Sequence, residues 1–108
     1  MRTVCFHGRS LDVIRTFPST ARQEAGHQLD RVQRRLEPND WKPISRIGKG
    51  VRELLIRENG QYRVIYLAVF GDVVHVLHAF RKKTQKTKQS DIRIAQKSYK
   101  YVMAKGNE

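Results

Sequence analysis

The sequence predicts an α+β domain: a small antiparallel sheet in the element order β-α-α-β-β-β-α, with the helices packed on one face. Three observations point to it. Apolar residues recur every three or four positions from Ser19 to Leu36 and again after Ser90, the period of a helix with one buried stripe. Between Val51 and Lys82 the chain is rich in Val, Ile, Leu and Tyr and is punctuated by Asn59-Gly60 and Gly71-Asp72, both hairpin signals. The chain has 108 residues, enough for one modest core and too few for two, so residues 1–108 read as one domain.

Taken in order, Arg2 to His7 reads as a short first strand that adds at an edge of the sheet. Ser10 is placed to cap a short helix carrying Leu11, Ile14 and Phe17, and Pro18 ends it because the residue before a proline avoids helical geometry. The longer helix, Ser19 to about Leu36, buries Ala21, Ala25, Leu29, Val32 and Leu36. Thr20 and Gln23 have capping-box spacing, Gly26 weakens the middle by about 1 kcal/mol relative to alanine, and Arg22, Arg31, Arg34 and Arg35 fall mostly on the wet side. Glu37-Pro38-Asn39-Asp40 breaks the helix, and the stretch to Gly50, with Trp41 and Pro43, reads as loop. Strands follow over Val51–Glu58, Gln61–Phe70 and Val73 to about Lys82, then a polar loop over Lys83–Gln89. Ser90 is placed to cap a last helix with the stripe Ile92, Ala95, Tyr99 and Val102.

Charge narrows the function. Lys and Arg number 22 against 10 Asp and Glu, a net charge of +12. That excess repels itself in a compact domain unless something anionic relieves it, which points first to nucleic acid, then to an acidic protein. From Arg81 to Lys100 the basic residues meet a single acid, Asp91. No apolar run approaches the ~18–20 residues that cross a bilayer, and the start turns polar too soon for a signal peptide. A single cysteine, Cys5, forms no internal disulfide and reads as a buried small hydrophobe. These features predict a cytoplasmic protein with no membrane partner.

The usual catalytic motifs are missing: there is no glycine-rich phosphate loop and no Gly-x-Ser-x-Gly elbow. His75 and His78, three apart on a strand, are expected on opposite faces, and His7 and His27 have no helpful neighbours in sequence, so no metal site is expected. What remains is cations beside a sheet. Arg52, Arg57 and Arg63 lie on the first hairpin; Arg81, Lys82 and Lys83 close the last strand; Thr84, Lys86 and Lys88 follow in the loop. Cations gathered at a strand end hold RNA phosphates. They also stabilise the negative charge that develops when a 2′-hydroxyl attacks its neighbouring phosphate, the chemistry of a metal-free ribonuclease. A lysine among other cations has its pKa lowered and can exchange a proton nearer neutrality. The hairpin admits two registers. A two-residue Asn59-Gly60 turn pairs Ile56 with Arg63 and puts Arg63 on the face of Arg52 and Leu54. A three-residue Glu58-Asn59-Gly60 loop pairs Leu55 with Arg63 and puts it beside Glu53 and Arg57.

Gly48-Lys-Gly-Val-Arg-Glu-Leu-Leu-Ile56, Tyr62-Arg-Val-Ile-Tyr66 and His78-Ala-Phe-Arg-Lys-Lys-Thr-Gln-Lys-Thr87 resemble successive blocks of the phage-related, HigB-like branch of the RelE/HigB superfamily of type II toxins. The helical stretch with Asp91, Ile92 and Ala95 continues the match, which covers nearly the whole chain in order. The resemblance implies a RelE-like fold and a ribosome-dependent, metal-independent mRNA endoribonuclease that works in the ribosomal A site without a cofactor and inhibits translation. It also implies a cognate antitoxin, often a helix-turn-helix protein. By the same resemblance Arg63 matches the strand arginine that contacts the scissile phosphate, and Lys82 or Lys83 matches the basic position closing the last strand. Glu53 falls where such toxins place a catalytic lysine, Leu55 falls where a second lysine or an arginine is common, and no tyrosine matches the base some members carry near the last helix. The general acid and base therefore stay open. A basic nucleic-acid-binding module without catalysis, and a related toxin acting on another target such as gyrase, are the other readings.

Overall fold

The computed structural model describes residues 1–68 and 71–106. Its elements are β1 (Thr3–Phe6), α1 (Ser10–Arg15), α2 (Ser19–Gln33), β2 (Trp41–Pro43), β3 (Val51–Arg57), β4 (Gln61–Leu67), β5 (Val73–Lys82) and α3 (Gln89–Gly106). The strands form one sheet in the order β1-β5-β4-β3-β2. β2 to β5 pair antiparallel; β1 adds at the edge, as expected, but runs parallel to β5, so the sheet is mixed and not purely antiparallel. The α+β class and the RelE-like arrangement hold. Val69 and Phe70, expected to end the β4 strand, lie outside the described residues. Among the described residues no helix is long and apolar enough to cross a membrane.

The expectation that the helices share one face is corrected. Ile14, Phe17, Ala21, Ala25, Leu29 and Val32 of α1 and α2 pack on Leu54, Ile56, Tyr62, Val64 and Tyr66. Ile92, Ala95 and Val102 of α3 pack on the other face, against Val51, Ile65, Leu67, Leu77 and Phe80. The reason is that the central strands do not alternate: β3 and β4 are buried at nearly every position, the pattern of a sheet covered on both sides.

Local details also differ from the sequence reading. Trp41–Pro43, read as loop, is a strand on β3; its brevity and its proline hide it. Neither expected side-chain cap forms at α1 or α2: Arg9 and Pro18 hold the cap positions without side-chain hydrogen bonds. Ser10 lies inside α1, buried, with its hydroxyl donating to the Val76 carbonyl at 3.5 Å. Leu36 lies beyond α2 and is exposed, because the helix stops when Arg35 turns left-handed at φ 63°. Cys5 is exposed, not buried. Strand alternation gives the α1–α2 core Val4 and Phe6 and leaves Cys5 on the other side of an edge strand.

Candidate functional site

The β3–β4 hairpin adopts the longer loop. Arg57 pairs with Gln61 and Leu55 with Arg63, so Glu58, Asn59 and Gly60 form the connection. Asn59 takes φ 54° and Gly60 φ 147°, conformations that asparagine and glycine tolerate. This register puts Glu53, Arg57 and Arg63 on the α3 face of the sheet. Lys82, paired with Gln61 on β5, joins them. Arg52 and Arg81 do not: they lie on the α1–α2 face, Arg52 stacked 3.9 Å above Trp41 and Arg81 5.7 Å from the centre of the Tyr62 ring.

The centre of the group is a buried carboxylate. Glu53 has no solvent exposure, and Arg63, 3% exposed, sets its Nε 3.7 Å from Glu53 Oε2. The half-exposed Lys42 brings Nζ to 3.7 Å from Oε1. Neither carboxylate oxygen accepts a hydrogen bond. The other guanidinium nitrogens of Arg63 are engaged: one donates to the Tyr62 carbonyl at 3.1 Å, the other to Gln61 Oε1 at 2.9 Å. Burial lowers the Arg63 pKa, and Glu53 opposes that effect.

Above the pair opens a cavity of about 400 Å³, whose charged walls are Lys42, Arg46, Glu53, Lys82 and Lys86. Glu53 and Lys82 line it directly, while Arg63 lies beneath its floor. Lys83 and Thr84 border a neighbouring recess shared with Lys82 and Gln61. Lys86 and Lys88 border another, by Asp91. The Thr84 hydroxyl donates to the Lys86 carbonyl and shapes this loop. Arg57, exposed, pairs with Asp40 at 3.4 Å. Lys42 and Arg46 were missed by the sequence reading, because the segment that carries them looked like plain loop. Burial lowers the Lys82 pKa, and the cations of Arg63 and Lys42 lower it further. The cavity thus has a mainly cationic wall with one carboxylate in it and one lysine whose pKa is lowered.

The histidines are placed otherwise than expected. A β-bulge in β5 pairs Ile65 with His78 but Tyr66 with Val76, so residues three apart share a face. His75 and His78 therefore both look to the α3 side, where His78 Nε2 lies 2.8 Å from Asp91 Oδ1. His7, read as having no helpful neighbour, lies with Nε2 3.0 Å from His75 Nδ1. Cys5, His7 and His75 hold potential ligand atoms within 4.8 Å of one another, a grouping that their spacing in the sequence does not suggest. The strand pairing that assembles the three is invisible in a linear scan of spacings.

Residues 12–100, most of the chain, match the family model described as phage derived protein Gp49-like (DUF891). No curated protein matches the chain.

Proposed function

The chain belongs to the phage-derived Gp49-like family, and from that premise we propose that it is the toxin of a type II toxin–antitoxin pair, a HigB-like mRNA endoribonuclease acting in the ribosomal A site. The family is compatible with such a toxin. The observation that favours RNA as the substrate is the cationic cavity around Glu53 and Lys82. Its lysines suit phosphate oxygens, and the two oxygens of Glu53, each facing a cation at 3.7 Å, accept no hydrogen bond. In this reading the half-exposed Lys42 swings aside as RNA enters and uncovers the buried Glu53, which takes the proton of a 2′-hydroxyl, and that oxygen bonds to the adjacent phosphorus. The bond to the 5′-oxygen breaks, and Lys82 returns a proton to the leaving oxygen. The products are a 2′,3′-cyclic phosphate and a 5′-hydroxyl. Lys42 balances charge at the phosphate. Arg63 holds Glu53 from below. Lys83, Thr84, Lys86 and Lys88 bind flanking RNA, with Arg57 at the hairpin end. Cleavage needs no metal or cofactor, the site of action is the cytoplasm, and an acidic surface of the antitoxin covers the cations when the toxin is silent.

Primer extension on mRNA from translating ribosomes tests this. The parent should cut within the A-site codon in the presence of a zinc chelator that spares ribosomal magnesium. Glu53→Gln and Lys82→Ala should each lower the rate by about 10²–10⁴-fold, the usual loss of an acid–base group. RNA binding without scission by the parent would replace this reading with that of a basic binding module, which the burial of Arg63 beneath the floor favours.

A further inference from the structure

We infer that Cys5, His7 and His75 form a binding site for a divalent cation of borderline softness, with zinc the ion the donors suit best. The site lies at the other end of β5 from the cationic cavity. His75 and Lys82 stand seven positions apart, roughly 23 Å along a strand rising ~3.3 Å per residue, so the site is separate from the proposed chemistry. The fold assembles it simply. His7 follows β1 directly, two residues after Cys5, and its N–H still donates to the Val76 carbonyl at 2.9 Å, so the two side chains stay on one side of the sheet edge. Parallel pairing sets Cys5 directly opposite His75 on β5. The Cys5 sulfur, a His7 ring nitrogen and a His75 ring nitrogen then converge within 4.8 Å of one another. His7 Nε2 and His75 Nδ1 are already 3.0 Å apart. In a tetrahedral zinc site, with Zn–N about 2.0–2.1 Å and Zn–S about 2.3 Å, ligand atoms stand roughly 3.3–3.7 Å from each other. Sub-ångström to ångström movements of side chains would close the site, and they are available because Cys5 is exposed and both rings are only partly buried.

The donor set selects the class of ion. One thiolate and two imidazoles suit zinc and offer no carboxylate or carbonyl oxygen to magnesium or calcium. Three protein ligands leave a fourth position for water. Bound there, the ion would clip the edge strand β1 to β5, a join otherwise made by backbone pairing and by packing of Val4 and Phe6 on the α1–α2 core.

Cobalt(II) is the spectroscopic probe, added to untagged, reduced protein. The expected result is one equivalent bound with intense visible bands of a tetrahedral ion and a near-ultraviolet thiolate-to-cobalt charge-transfer band, all displaced by zinc. Cys5→Ser should abolish the charge-transfer band and weaken zinc at least about tenfold by calorimetry. His75→Gln should weaken zinc likewise, and His27→Ala should leave binding unchanged. Zinc should raise the melting temperature of the parent and of His27→Ala alone. Circular dichroism without metal verifies that each variant is folded, and Cys5, being exposed, is replaceable by serine without disturbing packing. Absence of the charge-transfer band in the parent, or zinc affinity unchanged by Cys5→Ser, would overturn the site whatever the outcome of the cleavage assays.

Discussion

Arg63 Nε lies 3.7 Å from Glu53 Oε2, with the arginine 3% exposed and the carboxylate fully buried. The two are diagonal neighbours across β3 and β4, since Glu53 pairs with Ile65 and Arg63 with Leu55. A charge pair in such a place is costly to desolvate, and its members depend on one another more than they add to stability. The carboxylate oxygens make no hydrogen bonds, so the two cations beside Glu53 are its main compensation.

Removing one partner should therefore hurt more than removing both. Arg63→Ala should cost about 3–5 kcal/mol in urea denaturation, because it leaves a buried carboxylate with only the half-exposed Lys42 beside it. The double variant Arg63→Met with Glu53→Leu should recover most of that loss. Loss of activity in Arg63→Ala thus reports folding before it reports chemistry, and Glu53→Gln, which leaves the buried Arg63 uncompensated, needs the same control: the urea midpoint of each variant must accompany its cleavage rate. A cost below about 1 kcal/mol for Arg63→Ala would mean that water reaches the carboxylate freely.

Lys82 should titrate below the ordinary lysine value, since burial comes first and the cations of Arg63 and Lys42 follow. The sign is fixed by linkage. Protonated Lys82 is favoured in the unfolded chain, so its contribution opposes folding at neutral pH, and the opposition is lifted as pH rises from the folded pKa toward the unfolded one. Following the Lys82 side-chain carbon by NMR against pH should show the lowered midpoint. Lys42→Ala should move it part of the way back, leaving the effects of burial and of Arg63. A midpoint indistinguishable from that of a free lysine would remove Lys82 as the proposed proton donor.

Much of this architecture is legible in the chain. The helical stripe Ala21, Ala25, Leu29 and Val32 is all buried, and the hairpins fall at Asn59-Gly60 and before Val73. The parts that are not legible depend on contacts distant in sequence. The bulge in β5 changes which residues share a face, so His75 and His78 could not be placed by counting. The parallel pairing that sets Cys5 opposite His75 has no local signature, and neither does the short β2 that brings Lys42 to Glu53. Between two chemically reasonable hairpin registers, the one adopted leaves Arg63 beside Glu53, where opposite charges meet out of water.

Gly48 should not tolerate a side chain. A Cβ there would fall well inside the van der Waals contact of the Tyr99 ring of α3, which packs directly over the glycine. Tyr99 also packs against the core of Ile44, Ile47 and Ile92, so the ring cannot retreat without loosening α3. Gly48→Ala should destabilise by about 1–3 kcal/mol in thermal or urea unfolding, the usual range for overpacking. In a Tyr99→Ala background the same change should cost less than about 0.5 kcal/mol, and that coupling is the check. Equal costs in both backgrounds would assign the effect to the backbone and not to the ring.

The exposed cations after β5 supply the last prediction, which concerns the proposed antitoxin. Lys86, Lys88 and Arg93 are all exposed, and Lys86 also forms part of the cavity wall. An acidic antitoxin segment laid over this surface would neutralise it and block RNA in one step. The competing arrangement is a partner seated on the outer side of α2, which blocks ribosome entry by bulk. The two differ in their response to charge. Association through the basic surface should slow as salt rises, because exposed charges act within a Debye length of about 8–10 Å. Changing Lys86, Lys88 and Arg93 together to glutamate should then weaken the complex by roughly tenfold or more at moderate salt, chiefly through slower association. The three side chains are solvated, so the variant should unfold at nearly the parental urea concentration, and lost affinity would reflect lost charge pairing. Calorimetry showing unchanged affinity would place the antitoxin away from the cavity, with the outer face of α2 as its remaining seat.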